Sequence, residues 1–232
     1  MTQDASPAPS PDPSADDIAK DVSAAIVAHR LPPGTRLREE ALGRAYQVSR
    51  TKIRAALLML SKDKLIDIVP DKGAFVSKPS ADEAREVFAV RRILETALAR
   101  EFTARARPAD FRRIEAHLAQ ERQALEGGDA QARNRLLGDF HLLLAEIVGN
   151  KVLTDMLREL LARSAVITAL YQSTHDAGCS SREHHAFIKA ARKGDADAAS
   201  ALMDEHLRHV LDALDFKAGA QGNADLVTAL LR

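Results

Sequence analysis

The chain has 232 residues, of which 46% are hydrophobic and 28% charged, as in a soluble protein with one large or two small domains. Aromatic residues make up only 4% and tryptophan is absent, which favours close-packed helices over a β-sandwich. The single cysteine, Cys179, excludes an intrachain disulfide and suits a reducing cytoplasm. No hydrophobic run approaches the ~20 residues of a membrane span, so we expect a soluble cytoplasmic protein without a membrane partner.

The net charge is zero, but the charges are unevenly distributed. Residues 36–78 contain ten Lys or Arg against five Asp or Glu, a balance of +5. Residues 1–35 have a balance of −3 and residues 79–232 a balance of −2. A positive segment of this kind is what binding to a nucleic-acid backbone requires.

The first elements follow a short polar tail. Residues 1–14 are rich in Pro, Ser, Ala and Asp, do not resemble a secretion signal, and are expected to be disordered. Hydrophobic residues then recur at helical spacing between residues 16 and 29. Two prolines and a glycine predict a turn at residues 31–37, and residues 39–46 predict a short second helix.

A third helix is predicted after a tight turn, with Ser49 as its N-cap. The polar residues of its first turn are Arg50, Thr51, Lys52 and Arg54. Its buried side is expected to consist of Ile53, Leu57, Leu58 and Leu60. Residues 65–69 and 74–77 predict a β-hairpin around a turn at residues 70–73. This order of elements predicts a winged helix-turn-helix domain over residues 15–78.

The rest of the chain is helical by pattern. Residues 79–82 are expected to form a linker, and the predicted helical domain covers residues 83–218, followed by a C-terminal tail at residues 219–232. Predicted helix breaks fall at residues 107–108, 127–128, 149–150, 176–178 and 194–195. The breaks delimit about six helices, which is enough for an antiparallel bundle. The predicted fold class is therefore mainly α.

The polar start of the third helix has a clear use in a helix-turn-helix, where that helix enters the major groove of DNA. Arginine can donate two hydrogen bonds to guanine, and lysine and threonine can reach phosphates or base edges. Simple solvation of a helix end is the alternative, which the predicted wing and the local +5 charge disfavour. We predict binding to double-stranded DNA by Arg38, Ser49, Arg50, Thr51, Lys52, Arg54, Lys72 and Gly73.

Residues 31–79 read LPPGTRLREEALGRAYQVSRTKIRAALLMLSKDKLIDIVPDKGAFVSKP and resemble the DNA-binding domain of the GntR family of bacterial repressors. The shared pattern is Pro-Gly-Thr-x-Leu, then Val-Ser-Arg-Thr, then Gly-x-x-Val in the wing. The resemblance implies DNA contacts by Arg50, Thr51 and Arg54, with Gly73 at the wing tip. Lys52 stands where the family has Pro, and Ala55 stands where it has Glu. We expect these changes to alter base preference and to remove some orientation of a neighbouring arginine.

Three of the eight histidines are placed to converge. His184 lies ten residues before the predicted chain reversal at residues 194–195 and His206 eleven residues after it. In two antiparallel helices both would lie ~15 Å from the turn, facing each other. His141 lies among hydrophobic residues of an earlier helix. Three imidazoles inside a bundle can bind a metal, although unrelated core or surface histidines are the alternative.

Residues 80–215 resemble the FCD effector domain of the FadR-type branch, through SADEAREVFAVRRILETALAREF, FHLLLAEIVGN and EHHAFIKAARKGDADAASALMDEHL. Many such domains bind a divalent metal through an Asp, a His four residues later and two further histidines. His141, His184 and His206 match the histidine positions, but Leu137 replaces the Asp. The resemblance implies a site for Zn, Ni or Mn, with weaker affinity because the anionic ligand is missing.

In this branch the cavity beside the metal binds small organic acids. The implied effector site consists of Arg91, His141, His184 and His206. Arg91 matches a position where an arginine can pair with a ligand carboxylate, and an i,i+4 salt bridge with Glu95 is an equally open alternative. Asp139 lies on another helix face and is not expected to replace the missing Asp.

These features predict a ligand-responsive transcriptional regulator, a repressor that binds a palindromic operator as a homodimer. An effector-blind architectural DNA-binding dimer is the alternative that Leu137 leaves open. A metalloenzyme would need a general base beside the histidines, and the nearest carboxylate, Glu183, is expected to point sideways. We therefore predict no enzymatic activity.

Overall fold

The computed structural model describes residues 12–171 and 177–216. Over these residues the fold is mainly α with a small sheet, as predicted. The helices are α1 Ala15–Val27, α2 Glu39–Tyr46, α3 Arg50–Lys62, α4 Ala81–Arg105, α5 Pro108–Glu126, α6 Ala130–Val148, α7 Lys151–Tyr171, α8 Ala177–Arg192 and α9 Ala196–Asp212. The strands are β1 Arg36–Leu37, β2 Ile66–Val69 and β3 Gly73–Val76. The predicted C-terminal tail and most of the predicted N-terminal tail lie outside the described residues.

The first three helices form the predicted helix-turn-helix. Helix α1 begins with a capping box, in which the Asp17 N–H donates to Ser14 Oγ at 3.1 Å and the Ser14 N–H donates to Asp17 Oδ2 at 3.0 Å. Gln47, with φ 56°, makes the tight turn between α2 and α3, and Ser49 caps α3. The hydrophobic side chains that these helices bury together include Ile18, Val22, Ile26, Leu42, Ile53, Leu57 and Leu60.

The sheet has the order β1-β3-β2, with both pairs antiparallel. Strands β2 and β3 form the predicted wing, in which Ile66 pairs with Val76. Gly73 opens β3 with φ 97°, a conformation that glycine adopts without strain. The sequence does not predict β1, because two residues are too few to show an alternating pattern. In β1, Arg36 pairs with Phe75.

Helices α4 to α9 form the predicted bundle of about six helices. Pro108 starts α5, at a position where a missing N–H leaves no hydrogen bond unmade. Gly149 and Gly194 follow α6 and α8 with φ 79° and 75°, the left-handed conformation common at helix ends. Helix α4 packs along α9, and the main core buries Phe102, Phe140 and Phe187.

The winged domain rests directly on the bundle, because α1 packs against α7. Val166 of α7 belongs to the same hydrophobic cluster as the core of α1 to α3. The Tyr171 hydroxyl donates to the Pro79 carbonyl at 2.7 Å, and Arg163 pairs with Glu83 at 3.0 Å. The segment predicted to be a linker is therefore held against α7.

Candidate nucleic-acid interface and metal centre

The start of α3 presents polar side chains to solvent. Ser49, Arg50, Thr51 and Arg54 are exposed, and Lys52 is half-buried. On the opposite side Ile53, Leu57 and Leu60 are buried as predicted. Leu58 is 53% exposed, so its prediction as a buried residue is wrong. Each helical residue is rotated by about 100° from the last, which carries Leu58 out of the stripe that faces the core.

Two of the predicted DNA-contacting cations are paired with carboxylates. Arg54 Nε donates to both carboxylate oxygens of Glu39, at 3.0 and 2.9 Å. Lys52 Nζ donates to Asp12 Oδ2 at 2.6 Å. Glu39 thus orients Arg54, although Ala55 replaces the neighbouring Glu of the family pattern. Exposed pairs of this kind are weak, so a phosphate or a base edge can replace either carboxylate.

The wing and its surroundings add further exposed groups. Lys72 lies in the turn between β2 and β3, Gly73 is the first residue of β3, and Arg38 is the N-cap of α2. Sequence reasoning misses Arg36, which is exposed on β1 with its guanidinium 5.8 Å from the centre of the Phe75 ring. The sequence gives only a weak signal for it, because one charged residue before one hydrophobic residue is too short a pattern to indicate a strand. DNA contact by these residues stays a prediction.

The structure brings together the three predicted histidines. His141 from α6, His184 from α8 and His206 from α9 each offer a ring nitrogen within 4.8 Å of the other two. Their exposed fractions are 3%, 1% and 5%. His185 and His209 are exposed side chains outside this cluster, and each makes a hydrogen bond of its own. We call His141, His184 and His206 the histidine cluster.

Each histidine of the cluster has a carboxylate beside its Nδ1 atom. The pairs are His184 with Glu121 at 3.0 Å, His206 with Glu183 at 2.7 Å and His141 with Glu95 at 2.5 Å. Such a carboxylate fixes the ring orientation of a metal-binding histidine and leaves Nε2 for the metal. The Nε2 atom of His184 is buried without a hydrogen-bond partner. A nitrogen in this position is suited to binding a metal.

The protonation states also suit metal binding. Burial lowers the pKa of all three histidines more than the carboxylates raise it, and brings the pKa of His206 to about 4. Burial alone would raise the pKa of Glu95, Glu121 and Glu183. The adjoining histidines, together with Arg91 beside Glu95, outweigh burial and hold each carboxyl pKa at about 2. Neutral imidazoles supported by ionised carboxylates are the states in which metals bind.

The missing Asp ligand is not replaced within the cluster. Leu137 and Asp139 both line the adjoining cavity, but neither belongs to the group of potential ligands. Instead, the fully buried Glu95 places a negative charge beside His141. The residues present fit a divalent ion held by three nitrogens, with open positions for water or a ligand.

A cavity of about 240 Å³ adjoins the histidine cluster. Arg91, His141 and His206 line it, whereas His184 does not. Arg91 Nε donates to Glu95 Oε1 at 2.7 Å, with both side chains buried. The salt bridge with Glu95 is therefore present, Arg91 also lines the cavity, and its pairing with a ligand carboxylate stays a prediction. The volume suits a metabolite smaller than a typical drug.

Comparison with known protein families assigns both parts of the chain. The model of bacterial regulatory proteins of the gntR family matches residues 14–76, and the FCD domain model matches residues 86–209. The chain belongs to the gntR family of bacterial regulators. Within it, the combination with an FCD domain is that of the FadR-type branch.

Several regulators are similar along most of their length. The chain is 28% identical over 192 residues to the HTH-type transcriptional repressor RspR of Escherichia coli (strain K12), covering 82% of this chain and 83% of RspR. It is 29% identical over 188 residues to the HTH-type transcriptional repressor NanR of Cronobacter sakazakii (strain ATCC BAA-894), covering 71% of each. A putative GntR regulator from Rhodococcus sp. RHA1 shares the fold, with a TM-score of 0.77 and 24% identity, covering 85% of this chain and 95% of that structure.

The family assignment makes this gntR-family protein a DNA-binding transcriptional regulator and not an enzyme. Glu183, the carboxylate considered as a general base, accepts hydrogen bonds from His206 and His209. Among the described residues, no helix combines the length and the hydrophobicity needed to cross a lipid bilayer.

Proposed function

We propose that this regulator is a repressor whose homodimer binds a palindromic operator, and that a small organic acid bound in the bundle changes its affinity for DNA. The observation that carries the proposal is the histidine cluster, with a carboxylate at each Nδ1, beside a cavity lined by Arg91. The relatives RspR and NanR, both named repressors, support the direction of regulation.

In this proposal the cluster holds Zn²⁺, Ni²⁺ or Mn²⁺ through His141, His184 and His206. The bound ion would attract a carboxylate oxygen of the effector. Arg91 adds positive charge at the same wall of the cavity. An effector of this kind acts only through its different affinities for two arrangements of the protein.

The proposal gives each part of the chain a role. Residues 15–78 bind DNA, residues 79–82 link the domains, and residues 83–218 bind the effector and dimerise. Two half-sites of a palindrome match a two-fold protein dimer. Val90 and Ile93 of α4 are 42% and 70% exposed and lie three residues apart on one helix face. We assign this apolar face to the second copy.

The metal is tested by elemental mass spectrometry of untagged protein, after incubation with each of the three ions and removal of the excess. We expect one ion per cluster in the wild type and none in His184→Ala. His185→Ala is the matched control, because His185 is exposed on the same helix and is hydrogen-bonded to the Ser181 carbonyl. Wild-type protein that retains no ion would contradict the metal site.

DNA binding is tested by selecting duplexes from a random library and measuring operator affinity with metal plus acetate, succinate, citrate or gluconate. We expect a palindromic consensus and a severalfold change in Kd with at least one of these acids. If none of the acids changes the Kd for the operator, the effector-blind architectural dimer is favoured instead.

The dimer is tested by sedimentation of Ile93→Asp, which buries a charge if α4 forms the interface. We expect a monomer that binds a full palindrome much more weakly than the wild type does. Val152→Asp on α7 is the control, because Val152 is also 70% exposed but lies on another helix. A dimeric Ile93→Asp would contradict the assignment of this face.

A further inference from the structure

The cavity beside the histidine cluster is lined by both parts of the chain. Ser23 and Val27 of α1, together with His29 just after it, contribute to the wall, and α6, α7 and α9 supply most of the remainder. Ser23 and Val27 are four residues apart and therefore lie on one face of α1. A ligand that fills the cavity would touch the DNA-binding domain directly.

His29 fastens this wall to the bundle. Its Nε2 lies 3.1 Å from the Ala165 carbonyl of α7, and its Nδ1 lies 3.0 Å from the Asn134 side-chain nitrogen of α6. Because a carbonyl can only accept, Nε2 carries the proton and donates, and Nδ1 accepts from the amide. Burial lowers the pKa of His29, which is consistent with this neutral ring. One side chain from the DNA-binding domain thus joins two helices of the effector domain.

The backbone holds His29 in this position. Its φ of 58° is in the left-handed region, which is uncommon outside glycine but which asparagine, aspartate and histidine adopt more often than other residues. The conformation ends α1 and turns the chain towards the strand β1. Backbone hydrogen bonds at the end of α1 stabilise this conformation, since the Arg30 and Leu31 N–H groups both donate to the Ala25 carbonyl, and the two side-chain hydrogen bonds of His29 add to them.

We propose that the two side-chain hydrogen bonds of His29 form a latch, which holds the DNA-binding domain over the cavity. The effector opens this latch by competing with His29 for Asn134. The inference rests on the proposed function, because it concerns the ligand of the same cavity. Opening the latch would weaken the contact of α1 with α7, leaving the hydrophobic contact of Val166, and would favour a change in the position of the winged domain. The signal would then pass from ligand to DNA-binding domain in one step.

The placement of the polar groups defines the class of ligand. Asn134 and His141 lie seven residues apart on α6, about 10 Å at 1.5 Å per residue. The cavity is lined by His141, His206 and Arg91 and also by Ser23 and Asn134, of which Asn134 is two helical turns from His141. The ligand that fits is a short-chain carboxylate with a hydroxyl or a second acidic group at its far end.

The closure of the cavity by α1 can be tested without ligand by tryptophan fluorescence. The chain contains no tryptophan, so an introduced one is the sole source of that signal. Ser23→Trp puts a fluorophore at the cavity wall, and Ala24→Trp puts one on the exposed neighbouring position of α1. We expect acrylamide to quench the Ser23→Trp protein severalfold less than the Ala24→Trp protein. Equal quenching in the two variants would overturn the closure of the cavity by α1.

The latch is tested by hydrogen–deuterium exchange of residues 28–35 in otherwise unmodified protein. His29→Asn tolerates the left-handed backbone but is too short to reach both partners, and Asn134→Ala removes one partner. We expect each to raise exchange, His29→Asn severalfold, and the double variant to add little to His29→Asn, since Asn134→Ala removes one of the two bonds that His29→Asn already loses. Arg135→Ala is the control, because Arg135 also lines the cavity but pairs with Asp139.

Exchange at residues 28–35 that neither His29→Asn nor Asn134→Ala alters would overturn the latch. Melting temperatures measured on the same samples identify a variant that is globally destabilised. Because these measurements need no metal and no carboxylate, failure of the latch is distinguishable from failure of the proposed effector site.

Discussion

The start of α3 and the histidine cluster hold their charged groups in opposite ways. Arg54 and its partner Glu39 have side chains that are 68% and 35% exposed, in contact with water. His184 and its partner Glu121 have side chains that are 2% and 1% exposed. An exposed pair can exchange its partner for DNA at little cost, whereas a buried group that loses its partner is strongly destabilising. One region is therefore built for exchange of partners and the other for fixed geometry.

This difference bears on how the regulator works. We expect the DNA-binding surface to gain affinity from several exposed cations, whose contacts with phosphates are weakened by salt in solution. The cluster instead depends on a few groups whose rings are oriented before any ligand arrives. Substitutions should therefore have graded effects at exposed positions and steep effects at buried ones, in either part of the chain.

The largest expected effect tests burial within α3 itself. Leu57 is 4% exposed and Leu58 is 53% exposed, although they are adjacent and chemically identical. Leu57→Ala should lower the free energy of unfolding by about 2–5 kcal/mol, and Leu58→Ala should change it by less than about 0.5 kcal/mol. Urea denaturation of the two variants measures this difference. Equal losses would mean that Leu58 is covered in solution.

The next effect concerns a group that does not touch the metal. Glu121→Gln keeps an acceptor for His184 Nδ1 but removes the negative charge, so metal affinity should fall about 10- to 100-fold. Glu126→Gln is the matched control on α5, because Glu126 is exposed and 4.0 Å from Arg122. Titration against a chelating dye gives both affinities. Similar metal affinities in the two variants would show that Glu121 does not support metal binding.

Much of the DNA-binding domain could be predicted, because its signals are local. Ser49 as a cap and the turn before it specify the helix-turn-helix within a few residues. The same local signals fail for β1, which exists only because Arg36 and Leu37 pair with β3. The error at Leu58 is of another kind, because a rotation of about 100° per residue already places it outside the buried stripe.

The histidine cluster could only partly be predicted, because some of its contacts join residues that are far apart in the sequence. The reversal near residue 194 places His184 and His206 at the same height, which the sequence indicates. Glu121 meets His184 across 63 residues of sequence, and no local pattern marks that contact. The contact of His29 with Asn134 spans 105 residues and is equally hidden. Side chains that complete a site from other helices need the packed structure.

An effect of similar size is expected where an exposed cation contacts a base. Arg50 is exposed at the start of α3, and Arg50→Ala should weaken operator binding by about 1–3 kcal/mol if it contacts guanine. Fluorescence anisotropy at one salt concentration measures this loss on operator and on random duplex. Arg122→Ala on α5 removes the same charge and should have little effect. An equal loss on both duplexes would make Arg50 a phosphate contact.

The smallest effect is expected at Glu39, and it tests whether the exposed partner of Arg54 contributes to specificity for the operator. Glu39→Gln removes a carboxylate that orients Arg54 and also repels DNA phosphates. Stability should change by less than about 1 kcal/mol. Non-specific affinity should rise slightly, because a negative charge near DNA is lost, whereas the ratio of operator to random affinity should fall. Glu40→Gln removes the same charge beside it but leaves Arg54 held, since Glu40 pairs with Arg44. If both variants keep the wild-type ratio, the orientation of Arg54 by Glu39 has no part in reading the operator.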